Sequence, residues 1–160
     1  MKENPSRRIV VLGVGNLLMS DDGLGVHAVR LLLQDPPPDI EIYDVGTSAL
    51  TALDLADGAD RLLMIDAIQT NQPPGTLMRC NGFTAKTEPD MPSIHAMGLT
   101  TALQLVPKDR RPRHFTVLGV EPASLDYGME LSSTLQTRLP DLIREANQIL
   151  HQWTAEGCSL

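Results

Sequence analysis

The chain has 160 residues, 42% of them hydrophobic and 21% charged, with 13 Lys+Arg against 20 Asp+Glu for a formal net charge of −7. That is one domain's worth of chain, residues 1–160, and its composition excludes a disordered polymer. An acidic chain without a basic cluster is a poor partner for phosphate backbones. Two cysteines, Cys80 and Cys158, are too few for a disulfide framework, and no apolar run reaches the roughly 18 residues of a membrane span.

The first element is Arg8-Ile9-Val10-Val11-Leu12-Gly13, a short β-branched run ending in glycine, which reads as a strand buried on both faces. From Gly23 to Leu33 the period changes. Val26, Val29 and Leu33 recur at helical spacing, Leu24, Ala28 and Leu32 widen the stripe, and Asp35-Pro36-Pro37-Pro38 stops the helix. Ile40 to Val45 alternates like a strand, and Thr47 to Leu55 predicts a short helix with Leu50 and Leu53 inward. Arg61 to Ala67 is a third buried strand. After a Pro73-Pro74-Gly75 turn, Thr76 to Cys80 predicts a short antiparallel strand, because the connection is too short for a crossover. Ala85 to Pro92 reads as a loop, His95 to Val106 as a helix with Leu99, Leu103 and Val106 on one face, and His114 to Val120 as a strand. The last helix carries Leu135, Leu139, Leu142, Ala146, Ile149 and Trp153, and Pro140 should kink or divide it. The alternation predicts an α/β fold: a single three-layer domain whose twisted, mostly parallel sheet of about five strands, one of them antiparallel, is flanked by helices on both faces. Only 3% of the residues are aromatic, so the core must be aliphatic. Met1 to Pro5 carries no apolar signal region, and the expected location is cytoplasmic, with no membrane partner. The oligomeric state stays open.

Four segments carry chemistry-bearing residues. Gly13-Val14-Gly15-Asn16 follows the first strand like the start of a dinucleotide fingerprint, but Leu18 stands at the third glycine position, and a tight strand-to-loop turn explains both glycines. Ser20-Asp21-Asp22-Gly23-Leu24-Gly25 puts adjacent carboxylates and two glycines at a helix start. Capping accounts for one acid and not for both. Asp66 is the only charge between Leu62 and Ile68, and a carboxylate ending a buried strand is costly unless hydrogen-bonded, paired or on a metal. In an open α/β sheet the ligand crevice lies outside the carboxyl ends of the strands, where Asp22 and Asp66 both fall. His95 begins the helix that follows. A lone histidine is ordinarily a surface or capping residue, but this one is placed at the same edge. His27, His114 and His151 lie in less suggestive surroundings.

The run Gly13-x-Gly15-Asn16-Leu17-Leu18-Met19-Ser20-Asp21-Asp22-Gly23-Leu24-Gly25 resembles the N-terminal signature of the hydrogenase maturation endopeptidases, nickel-dependent proteases that trim the large subunit of NiFe hydrogenases. The resemblance continues through Asp44-Val45-Gly46-Thr47, Leu63-Met64-Ile65-Asp66-Ala67, Pro74-Gly75-Thr76, Ser93-Ile94-His95 and Gly119-Val120-Glu121-Pro122 to Leu131-Ser132. It implies a twisted sheet flanked by helices and a metal site built from Asp22, Asp66 and His95, the same three residues being catalytic. Some members have Glu where this chain has Asp22, and Asp21 is the rival ligand. The resemblance implies an endopeptidase that removes a C-terminal extension from a hydrogenase large-subunit precursor, with nickel as the metal, contributed by the precursor. The alternatives are a precursor-binding chaperone that does not cut, and a nucleotide-binding α/β module.

Overall fold

The consecutive apolar residues of β1 (Ile9–Val14) and β3 (Arg61–Ala67) are buried along their whole length, which demands cover on both faces of the sheet. The computed structural model describes residues 7–83 and 94–156, the side chains at 94–97 excepted. In it, β1 and β3 lie inside a five-stranded sheet of order β2-β1-β3-β5-β4, with β2 at Ile40–Gly46, β4 at Leu77–Asn81 and β5 at His114–Val120. Every pairing is parallel except that of β4 with β5. The expected α/β fold is the one observed.

Side chains alternate across each strand, so β1 and β3 serve two cores. Ile9, Val11, Leu63 and Ile65 pack under α1 (Leu24–Leu32) and α4 (Ser133–Ala155). Val10, Leu12, Val14, Leu62 and Met64 pack under α2 (Ala49–Ala56) and α3 (Ile94–Leu103). The order 2-1-3 sends one crossover over each face of the sheet. The strand order therefore reverses between β1 and β3, and the carboxyl ends of these strands are where open α/β sheets place their ligand crevice.

Several elements depart from expectation. Leu50 does not point inward: it is 81% exposed, and α2 buries Ala52 and Ala56 instead, with Leu53 half-buried. The helix starts at Ala49 after the N-cap Ser48, which turns Leu50 about 200° away from Ala52, and the small alanines let α2 lie close to the sheet. Leu33 sits past the end of α1 and is exposed. β4 pairs with β5, so β5 separates it from the strand that precedes it in sequence. α4 runs through Pro140 undivided. The proline ring is exposed to solvent, while Leu135 before it and Leu142, Ala146, Ile149, Leu150 and Trp153 after it anchor both halves. The loop expected over Ala85 to Pro92 lies outside the described residues.

Candidate active site at the carboxyl edge of the sheet

The crevice is bordered by the loop after β1, the end of β3 and the segment after β5. The chain leaves β1 through Gly15, whose φ of +134° favours glycine and whose added Cβ would meet the Asp22 carbonyl oxygen at 1.8 Å. Gly15 N–H donates to the Gly46 carbonyl at 2.9 Å, tying the loop to the end of β2. The chain then turns through Asn16 into a 3-10 turn, Ser20–Gly23, that runs directly into α1 and packs against β3. Gly25 is what permits that approach. A Cβ there would lie 2.1 Å from the Ile65 carbonyl oxygen and 2.4 Å from that of Val14. The two glycines of the GxG stretch thus serve close packing and a strained turn, with Gly13 backing onto the Gly25 carbonyl.

The adjacent carboxylates have different surroundings. Asp21 is fully buried. Its Oδ2 accepts from Ala123 N at 2.8 Å, Ser124 N at 2.9 Å and the Ser132 hydroxyl at 2.8 Å, and its Oδ1 accepts from Ser132 N at 2.7 Å. The Ser132 hydroxyl in turn accepts from Leu135 N as the cap of α4. Asp21 is therefore the pin between the β1 loop and the start of α4. Asp22 is half-buried at the crevice, and its Oδ2 accepts from Asn16 N at 2.8 Å.

Asp66 is fully buried at the end of β3, opposite Gly119 of β5. It shares the parity of Leu62 and Met64, so it belongs to the face covered by α3. α3 is seated on that face by Leu99 and Leu103, and His95 lies in its first turn. The His95 side chain is outside the described residues. Among the described residues no three His, Cys, Asp or Glu side chains meet as a metal cluster. The fold brings the Asp22 turn against β3 and starts α3 on the Asp66 face.

Glu121 is a further site residue, to which its sequence motif assigned no role. It is buried just beyond β5, and its Oε2 accepts from Thr70 N at 2.7 Å, the Thr70 hydroxyl at 2.8 Å and Gln72 N at 3.3 Å. Its backbone N–H donates to the Thr76 carbonyl, and its carbonyl accepts from Gly75 N. It thereby fixes the loop that leaves Asp66. The signal was there in kind: a lone acid following a buried strand, the same cue that singled out Asp66.

A mostly parallel α/β sheet with acids near its strand-order reversal defines the class: an open-sheet α/β protein of the kind that places its ligand site at the carboxyl edge. Comparison with known proteins narrows this. The profile of HycI, hydrogenase maturation protease, matches residues 26–149. The chain is 32% identical to the hydrogenase 2 maturation protease of Escherichia coli, covering 94% of each chain, and 32% identical to the hydrogenase expression/formation protein HupD of Bradyrhizobium diazoefficiens, covering 91% of this chain and 79% of that one. Among solved structures it is similar to the hydrogenase maturating endopeptidase HybD from E. coli, with a TM-score of 0.81, 31% identity, and 91% and 93% of the two chains covered. The maturation protease HybD from Thermococcus kodakarensis gives a TM-score of 0.76 at 27% identity, over 89% and 98%. The chain belongs to the hydrogenase maturation protease family, and it is a hydrolase.

Proposed function

We propose that the protein removes the C-terminal extension of a NiFe hydrogenase large-subunit precursor already loaded with nickel, and that Asp22, Asp66 and His95 engage the precursor's nickel during the cut. The observation that carries this reading is that the turn bearing the half-buried Asp22 packs against β3, which carries the fully buried Asp66 near its end on the face covered by α3. Two carboxylates and an imidazole form a borderline-to-hard donor set without thiolate, which suits nickel and leaves coordination positions for the partner. Held by Asp22, Asp66 and His95, nickel would supply Lewis acidity for the scissile carbonyl or for a water. The chain's own part is to hold these donors rigidly: Asn16 N–H orients the Asp22 carboxylate, and Asp21 and Glu121 lock the flanking loops. An enzyme that receives its metal with the substrate distinguishes loaded from empty precursor.

The test is to incubate the purified protein with nickel-loaded and nickel-free precursor and follow the precursor's C-terminus by mass. Loaded precursor should lose its extension without added metal, and nickel-free precursor should stay intact. Asp22→Ala, Asp66→Ala and His95→Ala should each abolish processing while the circular dichroism spectrum stays that of the wild type. Efficient cutting of nickel-free precursor by chelator-treated protein defeats the reading. Binding without cutting turns it into a chaperone.

A further inference from the structure

Two loops at the carboxyl edge join to make a surface that the chemistry above does not use. Residues 18–20 and 126–128 lie side by side: Met19 bridges to Gly128 in parallel sense, Ser20 N donates to the Gly128 carbonyl at 2.7 Å, and Gly128 N donates to the Leu18 carbonyl at 3.0 Å. The Ser20 hydroxyl adds a bond to the Asp126 carbonyl at 2.8 Å, and Ser20 is held at a φ of +47°. Leu18 immediately precedes Met19, and Tyr127 and Met129 flank Gly128, so all three side chains are carried by the residues next to this single bridge. Leu18 is 58% exposed, Tyr127 91% and Met129 67%. Isolated exposed apolar residues are ordinary, but three on one short ribbon are a patch. In a chain with five aromatic residues, leaving a tyrosine almost wholly in water is costly for the core, and Tyr and Met are side chains enriched at protein interfaces.

The geometry points to this ribbon as the docking surface for the folded body of the precursor, apart from the segment that is cut; the inference rests on the function proposed above. Continuity decides the occupant. The ribbon's first strand is the segment leading into Asp21 and Asp22, and its second follows Ser124, whose backbone N–H holds the Asp21 carboxylate. A macromolecule whose cut segment reaches Asp22 therefore lies against the loops that carry these side chains. Asp126 and Glu130, both exposed, flank Tyr127 and Met129. The matching face is therefore an apolar patch rimmed by Lys or Arg on the precursor. Hydrogen bonds of Ser20 and Asp21 tie the two loops together, which lowers the ordering cost of docking.

The experiment compares wild type, the triple variant Leu18→Ser/Tyr127→Ser/Met129→Ser and a control, Leu33→Ser/Leu105→Ser, which alters exposed leucines at the ends of α1 and α3, on the opposite edge. Each binds the host's own nickel-loaded large-subunit precursors in surface plasmon resonance, and cleavage is followed in parallel. The triple variant should bind at least tenfold more weakly and raise KM by a similar factor, with kcat within twofold, an unchanged melting temperature and a wild-type control. Unchanged affinity in the triple variant, equal loss in the control, or no binding by wild type each overturns the docking surface. A wild type that self-associates through the patch, becoming monomeric in the triple variant, overturns it as well. If wild type binds and never cuts while the triple variant loses binding, the docking surface stands and the proposed function falls.

Discussion

Asp21 and Asp22 are neighbours in sequence with opposite surroundings. The Asp21 carboxylate accepts four hydrogen bonds, three of them from backbone N–H groups of residues 123, 124 and 132, in a site closed to water. Alanine at this position leaves those donors buried without an acceptor, at about 1–3 kcal/mol for each group that water cannot reach. Asp21→Ala should therefore destabilise the fold by about 4 kcal/mol, whereas Asp22→Ala, at a half-buried position, should cost about 1 kcal/mol. Urea unfolding of the two variants checks this, and equal losses would refute the division of labour. The sequence could not divide them, because the groups that claim Asp21 lie some hundred residues further along the chain. Asp66 needed no such information: a single charge inside an apolar strand announces itself. Spacing alone points Leu50 inward, because only the start of α2 at Ala49 and the burial of Ala52 decide the helix's rotation.

At the level of elements, the edge strand β2 is fastened to the chain entering β1 by side chains as well as by the ladder. Arg8 Nε and Nη2 donate to the two Glu41 oxygens at 2.9 and 2.7 Å, and the Tyr43 hydroxyl donates to Glu41 Oε2 at 2.8 Å. The Arg8 guanidinium, first, and the Tyr43 hydroxyl hold the Glu41 carboxyl below its ordinary value, while the Glu41 carboxylate raises Tyr43 above its own. A carboxyl whose folded pKa is depressed stabilises the native state above its unfolded pKa, about 4.3, and loses that contribution as pH falls through the folded value. The pair is partly open to solvent, with 30% and 40% of the two side chains exposed, so screening limits it to under about 1 kcal/mol. In denaturant titrations Glu41→Gln should be less stable than wild type at pH 6, and the gap should narrow as the pH falls below about 4. A gap of the same size at every pH down to the acid limit of folding would mean the glutamate contributes by packing and not by charge. The strand pattern was legible from alternation in Ile40–Val45, but the fastening was not, because Arg8 and Glu41 are 33 residues apart and only the parallel register of β1 on β2 aligns them.

Across the whole molecule the two edges of the sheet have separate tasks. The carboxyl edge gathers Asp22, Asp66 and the Leu18–Tyr127–Met129 ribbon, while the amino edge holds the Arg8–Glu41, Arg113–Asp60 and Arg61–Glu156 pairs. Arg61 opens β3 nearly buried, donates from Nη1 to Glu156 at 2.6 Å and lies 5.7 Å over the Trp153 ring. Trp153 is the chain's one tryptophan, 5% exposed, and it closes the core under α1 and α4 from the last turns of α4. Truncating such a side chain costs about 3–5 kcal/mol in lost burial and residual cavity, and the cation–π contact to Arg61 adds about 1 kcal/mol. At about 2–4 °C per kcal/mol for a chain of this size, Trp153→Ala should lower the melting temperature by roughly 10 °C or more. It should leave the KM and kcat for precursor cleavage at wild-type values at a temperature where both proteins are folded, because the full depth of the sheet, Arg61 to Asp66, separates it from the crevice. Calorimetry and precursor cleavage on the same preparation read the two quantities together. A loss of turnover in folded Trp153→Ala protein would show that the edges are mechanically coupled through β3 and α4.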